Sequence, residues 1–288
     1  MNDNHEIFRR SSIPETEGCG RKIIPHLTLE GCVRPDPKYY PCCTIINDDH
    51  RDHLWRFNPN SFDLIVTDPP YGKRFRSAQK LHGRAKWDDE FTSFEVTAVL
   101  GLARVGSYVF CEWDNLWKYE ARAPYFEPDE REINCDDGMY PTLEAVPGGH
   151  VVNNLPKPKS ALVWHKLGGG SQGDCAHEHI RNYEMVLFYP GPEHKFEKRP
   201  RSVLRYAAPG NKTHPTMKPV DLIQEILGWY DFETVLDPFM GSGTTAVAAT
   251  KLGKHFLGFE ADEGYCEDAT ARVAEERIRR NELLSARQ

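Results

Sequence analysis

The sequence lacks the features that mark several other protein classes. No apolar run approaches the ~20 residues that a membrane-spanning helix needs, and residues 1–6 lack the charged-then-apolar order of a secretory signal. The eight cysteines form neither a disulfide framework nor the closely spaced pairs typical of a structural zinc site. We therefore expect a soluble, cytoplasmic protein without a metal, long enough at 288 residues for one large α/β domain.

The sequence also lacks an excess of positive charge. Its 36 Lys and Arg against 43 Asp and Glu give a net charge of −7, whereas contacts to phosphates need cations. The cations nevertheless concentrate in residues 71–86, which contain no acid, and in residues 195–205, which contain one. This distribution is compatible with a nucleic-acid face on an acidic body, although two solvated basic loops would look the same. The candidate contacts are Lys73, Arg74, Arg76, Lys80, Arg84, Lys86, Lys198, Arg199 and Arg201.

A short apolar, β-branched run at residues 62–67 predicts a buried strand. Pro69 and Pro70 end it, because each fixes φ and removes a backbone donor. Asp68, two proline carbonyls and the ring of Tyr71 then lie at the carboxyl end of a strand, where ligands bind in open α/β sheets. The group suits a flat molecule with an amino donor, such as a nucleobase. A simple strand-ending turn is the alternative.

A second motif lies downstream. Residues 235–237 predict a strand, the glycines after it predict a tight turn, and a helix over residues 246–252 leads to a strand that ends at Glu260. Glu260 follows Gly241 by 19 residues, near the spacing of an acid that accepts a ribose hydroxyl. The pattern is not G-x-G-x-x-G, which argues against a pyrophosphate cofactor and favours a nucleoside cofactor with another tail. A purely structural glycine turn stays open.

The two motifs together resemble those of the amino-methylating DNA methyltransferases, which use S-adenosylmethionine. The catalytic Asp-Pro-Pro-Tyr precedes the glycine motif Asp-Pro-Phe-Met-Gly-Ser-Gly-Thr-Thr, as in the circularly permuted β group of that family. Three further stretches also resemble motifs of that family: residues 214–219, residues 161–166 and the pair Trp87-Asp88. The resemblance covers roughly residues 44–110 and 160–275.

The resemblance implies a fold, a cofactor and a set of site residues. The fold is a Rossmann-like class I methyltransferase α/β fold, with a mostly parallel sheet, helices on both faces and a permuted motif order. Asp68, Pro69, Pro70 and Tyr71 are the expected catalytic residues. The expected S-adenosylmethionine contacts are Asp48, Asp68, Thr216, Lys218, Asp237, Pro238, Phe239, Gly241, Ser242, Gly243, Thr244, Thr245 and Glu260.

Three of these assignments have specific reasons. Thr216 and Lys218 precede a predicted helix over residues 220–230, and a helix amino terminus with a lysine suits the carboxylate of the cofactor's methionine. Asp48 is the candidate acceptor for the cofactor's adenine amino group, although Asp48 or Asp49 could simply cap the helix predicted for residues 50–57.

The first residue of the tetrapeptide bears on the target base. Asp at this position resembles the adenine-modifying members, whereas cytosine-amine members more often have Ser. We therefore expect site-specific methylation of the adenine N6 amine in double-stranded DNA, as in restriction-modification. N4 methylation of cytosine and amino-methylation of RNA are the alternatives, and a non-catalytic nucleic-acid-binding relative is a third.

The organisation of the chain follows from the same motifs. We expect an amino-terminal arm at residues 1–43 and a methyltransferase domain at residues 44–288 with an insertion near residues 118–158. The target sequence could be recognised by residues 72–90, 118–158 or 190–212. The resemblance leaves open a homodimer and a restriction endonuclease partner, and a phage-encoded protein would act in the bacterial host's cytoplasm. Cys175, His177 and His179 could share one face of an extended segment, but we predict no metal there.

Overall fold

The protein is described from a computed structural model. The described residues are 43–54, 57–70, 99–111, 158–168, 177, 179–210 and 217–286, with the backbone of Ile7–Phe8. The predicted insertion and almost all of the predicted arm lie outside them. Within the described residues, no helix is long and apolar enough to cross a membrane.

One sheet organises the described residues. Its nine strands in chain order are β1 Ile7–Phe8, β2 Cys43–Ile46, β3 Phe62–Thr67, β4 Ala103–Cys111, β5 Ser160–Leu167, β6 Tyr183–Pro190, β7 Val203–Ala207, β8 Thr234–Asp237 and β9 His255–Phe259. The helices are α1 Val220–Leu227, α2 Thr244–Leu252 and α3 Glu263–Ser285.

The spatial order of the strands is β1-β2-β9-β8-β3-β4-β6-β5-β7. All neighbours are parallel except those of β6, which runs antiparallel to both β4 and β5. Along the chain, β3, which leads into Asp68, precedes β8, which leads into the glycine turn. The two strands are nevertheless neighbours in the sheet. This is the mostly parallel α/β sheet with permuted motif order that the sequence predicts.

Successive residues of the central strands enter different cores, because side chains alternate between the faces of a sheet. Leu64, Val235 and Phe256 share one apolar cluster with residues of α1, α2 and α3. Their neighbours Ile65 and Leu236 lie in a second cluster, whose members from outside the sheet are Phe57, Val99 and Leu102. Burial on both faces explains why residues 62–67 are apolar almost throughout instead of alternating.

A buried carboxylate joins three strands at the amino-terminal edge of the sheet. The Asp63 side chain, 3 % exposed, accepts the backbone N–H groups of Glu233 at 2.7 Å and Thr234 at 2.9 Å. It also pairs with Arg104 of β4, whose guanidinium reaches Glu193 at 2.8 Å. Charge-assisted bonds of this kind are roughly twice as strong as neutral ones, so Asp63 fixes the starts of β3, β4 and β8 relative to each other.

Several boundaries differ from the sequence predictions. Of the helix predicted for residues 50–57, the described residues form a 3₁₀ turn at His50–Asp52, capped by Asp49, whose carboxylate accepts the N–H of Arg51, and a hydrogen bond from the N–H of Phe57 to the carbonyl of Leu54 at 3.1 Å. The helix predicted for residues 220–230 ends at Leu227, and β4 begins at Ala103 instead of Ser107. Strand β7 was not predicted, because only two of its five residues, Val203 and Tyr206, are β-branched or aromatic.

Replacing Asp63 with Ala should lower the free energy of unfolding by about 2–4 kcal/mol, because it leaves two backbone donors and Nε of Arg104 without their acceptor. Asp63→Asn, which keeps one acceptor oxygen, should cost less. Urea unfolding measures both. Asp231→Ala is the control, since Asp231 is exposed in the same connection between α1 and β8. A loss for Asp63→Ala no larger than that of the control would contradict this role.

Candidate active site

The strand order reverses between β8 and β3. From β8 the chain passes through α2 to β9 on one side, whereas from β3 it continues to β4 on the other. In open α/β sheets such a switch point leaves a crevice at the carboxyl ends of the strands, and ligands bind there. Asp68 directly follows β3 and Asp237 ends β8. The two strand ends are joined by the hydroxyl of Thr67, which donates to Oδ1 of Asp237 at 2.9 Å.

The glycine turn after β8 has the backbone that the sequence predicts. Gly241 and Gly243 have φ of 54° and 78°, in the left-handed region that favours glycine. A Cβ at Gly243 would lie 2.7 Å from the Cβ of Ala269, so α3 can approach the turn only because no side chain is there. Pro238 and Ser242 to Thr245 are buried, and α2 starts directly from the turn.

Glu260 shapes the turn from the end of β9. Its carboxylate accepts the N–H of Gly241 at 2.9 Å on one oxygen and the N–H of Asp262 at 2.8 Å on the other. A carboxylate has about four lone-pair sites, so two acceptor sites remain for a ligand hydroxyl. This arrangement fits the ribose of a nucleoside cofactor, the role that the spacing of Glu260 predicts.

A half-buried arginine of α3 also holds the turn. Nη1 of Arg272 in α3 donates to the carbonyl of Ser242 at 2.5 Å and lies 3.1 Å from its hydroxyl. The sequence analysis missed Arg272, because one arginine in a charged helix carries no local signal. The contact exists only because the close approach at Gly243 brings α3 onto the turn.

Burial changes the acidity of both carboxyl groups beside the crevice. Burial raises the pKa of Asp237 to about 7 against the opposing effect of hydrogen bonds from Thr245, Thr67 and Phe239. Burial also raises the pKa of Glu260 to about 7 despite its two backbone donors. Both groups are therefore poised to change charge near neutral pH, when a ligand supplies or removes hydrogen bonds.

The segment after β2 supplies polar groups beside β9. Oδ2 of Asp48 lies 3.2 Å from Nε2 of His53, and Asn47 donates to the carbonyl of Glu260 at 2.9 Å. Since Asp49 is the residue that caps the 3₁₀ turn, Asp48 is not needed for capping. The buried ring of His50 lies 4.3 Å from that of Phe239, centroid to centroid, which joins this segment to the turn after β8.

Lys218 approaches the crevice from the residues before α1. Its ammonium, only 6 % exposed, pairs with Asp68 and lies 3.2 Å from Glu184 of β6. Glu184 also pairs with Lys166 of β5 at 2.5 Å. Burial alone would lower the pKa of Lys218, but Asp68 and Glu184 outweigh it and hold the pKa above its ordinary value. Glu184 and Lys166 were not predicted from the sequence, because their meeting depends on the antiparallel course of β6, which brings its amino end with Glu184 to the edge where β5 ends with Lys166.

The structure thus brings most of the predicted cofactor residues to one edge of the sheet. Tyr71, Thr216 and the basic residues of the segment 71–86 lie outside the described residues. The exposed Lys198, Arg199 and Arg201 lie in the connection between β6 and β7, whose strand is four positions from β3 in the sheet. At about 4.8 Å per strand the separation is roughly 19 Å, so these cations could contact only parts of a ligand that lie well away from Asp68.

Comparison with known proteins identifies the family. The model of the N6/N4 methyltransferase family, described as DNA methylase, matches residues 62–271, from the start of β3 into α3. The chain belongs to the N6/N4 DNA methylases. The match includes both motifs and the strands that carry them, so the resemblance drawn from the two motifs is confirmed.

Curated relatives of this DNA methylase agree. It is similar to the type II methyltransferase M.HinfI of Haemophilus influenzae, 27% identical over 84% of this chain and 72% of that protein. It is also similar to the putative methylase YubD of Escherichia coli strain K12 (29%, covering 76% and 84%). The type II methyltransferase M2.LlaDCHI of Lactococcus lactis subsp. cremoris is 24% identical over 80% of this chain and 88% of that protein.

Solved structures share the fold of the DNA methylase. The M1.HpyAVI–SAM complex superposes with a TM-score of 0.52 at 22% identity, over 80% of this chain and 99% of that one. The cytosine-N4-specific PvuII DNA methyltransferase superposes with a TM-score of 0.54 at 13% identity, over 84% and 94%. These similarities confirm the class I methyltransferase fold.

The raised pKa of Asp237 predicts a pH-dependent stability. Between its unfolded pKa near 3.9 and its folded pKa of about 7, the folded protein binds more protons than the unfolded chain. Asp237 therefore lowers the free energy of unfolding progressively as the pH rises through this interval. Asp237→Asn removes the titration but keeps an acceptor for Thr67. Relative to wild type, the variant should gain about 2–3 kcal/mol between pH 5 and pH 8, at about 1.4 kcal/mol for each pH unit below the folded pKa.

Urea unfolding of both proteins at the two pH values measures this gain, and all other titrating groups cancel in the difference. The exposed Asp231→Asn is the control and should keep a constant difference from wild type. A constant difference for Asp237→Asn would contradict the raised pKa.

Proposed function

We propose that this DNA methylase transfers a methyl group from S-adenosylmethionine to the N6 amine of adenine in double-stranded DNA. The observation that carries the proposal is the placement of Asp68. It follows the switch-point strand β3, adjoins the glycine turn through the Thr67–Asp237 hydrogen bond and is paired with a buried lysine. A carboxylate is thereby fixed beside a cofactor crevice, where an exocyclic amine can donate to it.

The chain's own groups act on the amine. An aromatic amine is a poor nucleophile, because its lone pair is delocalised into the ring. Acceptance of its two N–H bonds by the Asp68 carboxylate and the Pro69 carbonyl favours a pyramidal nitrogen and localises the lone pair. Positioning and electrostatics then account for most of the acceleration, and no cysteine nucleophile is needed. The base must leave the duplex to reach this edge, and Tyr71 remains the predicted stacking residue.

The crevice suits a nucleoside cofactor. Glu260 has acceptor sites left for ribose hydroxyls, the Gly241–Gly243 turn leaves room for close approach, and Asp48 stands at the end of the neighbouring strand β2 for an amino donor. Asp237 and Phe239 complete the wall between β8 and the turn. S-adenosylmethionine supplies a methyl group that its sulfonium has already activated.

The choice of adenine depends on the identity of residue 68. An ionised Asp is a stronger acceptor than the Ser that cytosine-amine members more often have there, and the Lys218 ammonium is a counter-ion for that charge. N4 methylation of cytosine is the second candidate, supported by the fold that the chain shares with the cytosine-N4-specific PvuII enzyme. An RNA substrate is the remaining alternative.

The product assay tests the proposal directly. We expect tritiated methyl transfer from S-adenosylmethionine to unmodified duplex DNA to yield N6-methyladenine after digestion to nucleosides and mass analysis. Asp68→Ala should lower the rate at least about 100-fold, because the amine loses its charged acceptor. The control is Asp221→Ala, an exposed carboxylate that pairs with Lys251 at 3.3 Å and lies away from the crevice.

Three results would overturn different parts of the proposal. Methyl groups found on cytosine N4 would show that cytosine, not adenine, is the target base. Transfer to RNA alone would reject DNA as this chain's substrate. Equal rates for Asp68→Ala and wild type would remove Asp68 from the chemistry, whichever base is methylated.

The exposed cations before β7 give a separate prediction on DNA affinity. If Arg199 and Arg201 bind flanking phosphates, the double Ala variant should bind duplex DNA more weakly. Its plot of log affinity against log salt should be shallower by about 1–2, at roughly 0.9 for each phosphate that is no longer neutralised. Fluorescence anisotropy over a salt series measures both quantities. The matched control replaces Arg277 and Arg279 near the end of α3, and equal slopes for the two double variants would leave residues 199–201 as a solvated loop.

A further inference from the structure

Four charged side chains of alternating sign form a chain along the active edge of the sheet. Asp68 after β3 pairs with Lys218, Lys218 lies 3.2 Å from Glu184 of β6, and Glu184 pairs with Lys166 of β5 at 2.5 Å. Their charges sum to zero. We call these four residues the charge chain.

Burial decides how firmly each member is held. The side chains of Lys218 and Glu184 are 6 % and 11 % exposed, whereas Lys166 and Asp68 at the two ends are 21 % and 25 % exposed. The Lys218 ammonium also lies 5.3 Å from the centre of the Phe110 ring. The Lys218 ammonium donates a hydrogen bond to Asp68 and forms an ion pair with Glu184, so two carboxylates share its charge.

This geometry competes with the role that the sequence suggests for Lys218. A cofactor carboxylate would be a third anion on one buried ammonium whose charge two carboxylates already compensate. We propose instead that Lys218, anchored by Glu184, is a positioning residue that holds the Asp68 carboxylate in the orientation required by the target amine. The inference rests on the proposed catalytic role of Asp68, but not on which base is methylated.

The pairing with Glu184 explains how Lys218 can hold the Asp68 carboxylate without neutralising all of its negative charge. Since Lys218 divides its charge between two carboxylates, Asp68 keeps part of its negative charge to attract a substrate N–H. Lys166 in turn balances the charge of Glu184. The buried Glu184 carboxylate therefore has a cationic partner even though Lys218 lies nearer to Asp68. The pKa of Glu184, which burial alone would raise, is held below its ordinary value by Lys218 and Lys166.

Lys218→Met tests the positioning role, because Met keeps an unbranched apolar stem against Phe110 but removes the ammonium. Glu184 keeps Lys166, and the partly exposed Asp68 can be hydrated, so the variant should fold. We expect its single-turnover methyl transfer rate to fall about 100-fold, the scale of a misplaced reacting group. An unchanged rate would overturn the proposal.

Lys254→Met is a matched control for loss of a lysine. Lys254 also pairs with a carboxylate, Glu233 at 2.9 Å, and lies 5.2 Å from the centre of the Phe232 ring, but it precedes β9 at the other edge of the sheet. Its rate should equal that of wild type. An equal fall in both lysine variants would overturn the specific role of Lys218.

Equilibrium binding separates positioning of Asp68 from recognition of the cofactor carboxylate. S-adenosylhomocysteine carries the amino-acid tail, whereas 5′-methylthioadenosine lacks it. Under the proposal, Lys218→Met binds each ligand within about threefold of wild type. A loss of about tenfold or more for S-adenosylhomocysteine alone would overturn it and assign Lys218 to the carboxylate.

Two further variants test the coupling. The double variant Asp68→Asn, Lys218→Met should be no slower than Asp68→Asn alone, since the lysine acts only through Asp68, and an additional loss of about 100-fold would overturn that. Glu184→Gln should lower the rate about tenfold with cofactor affinity unchanged. A wild-type rate in Glu184→Gln would overturn the anchoring role, and this variant keeps the test decisive if Lys218→Met does not fold.

These outcomes are separable from failure of the proposed function. Rates are compared on whichever base the wild-type protein methylates, so a cytosine product would revise the substrate and leave the test of Lys218 intact. Failure of wild type to methylate any nucleic acid would instead reject the proposed function itself.

Discussion

The hydrogen bond from Thr67 to Asp237 holds the site together. It spans 170 positions of sequence and joins the ends of β3 and β8, the two strands between which the sheet order reverses. Asp68 follows Thr67 by one residue, and the glycine turn follows Asp237. Any movement of one strand end relative to the other would therefore separate the acceptor for the amine from the cofactor turn. The hydrogen bonds and the ion pair of Asp63 at the opposite edge fix the starts of the same strands, so both ends of the β3–β8 pair are held.

Three carboxyl groups, of Asp68, Asp237 and Glu260, crowd this edge, and a low-dielectric setting makes their mutual repulsion expensive. The three carboxyl groups differ in the partners that offset this repulsion. Asp68 pairs with the ammonium of the buried Lys218, whereas Asp237 and Glu260 accept from neutral hydrogen-bond donors and have pKa values near 7. The difference matches the roles proposed for them. The proposed acceptor for the weakly nucleophilic amine has a cationic partner, while the groups that line the crevice gain their charge most easily when a ligand donates to them.

The sequence predicts the parts of the site that depend on neighbours along the chain. Strand β3 and its stop at Pro69, the turn at Gly241 and Gly243, and the acid at the end of β9 all follow from local backbone chemistry. The spacing of Glu260 also predicts its side of the crevice. Contacts between distant segments were not predictable: Arg272 on Ser242, Glu184 on Lys218 and Asp63 on Arg104 connect residues whose own surroundings in sequence are unremarkable. Of the helix predicted at residues 50–57, the described part is 3₁₀-helical, and Asp49 caps its first turn.

The charge chain shows why the order in which the chain visits the strands does not limit the chemistry. Its four members come from the ends of β3, β5 and β6 and from the residues before α1, in the sequence order 68, 166, 184, 218. What brings them together is that parallel strands present their carboxyl ends, and the antiparallel β6 its amino end, at the same edge. Strand order in the sheet fixes that edge, and the connections can be permuted without moving it. A catalytic motif that precedes its cofactor motif can therefore form the same site as one that follows it, provided that β3 and β8 remain neighbours.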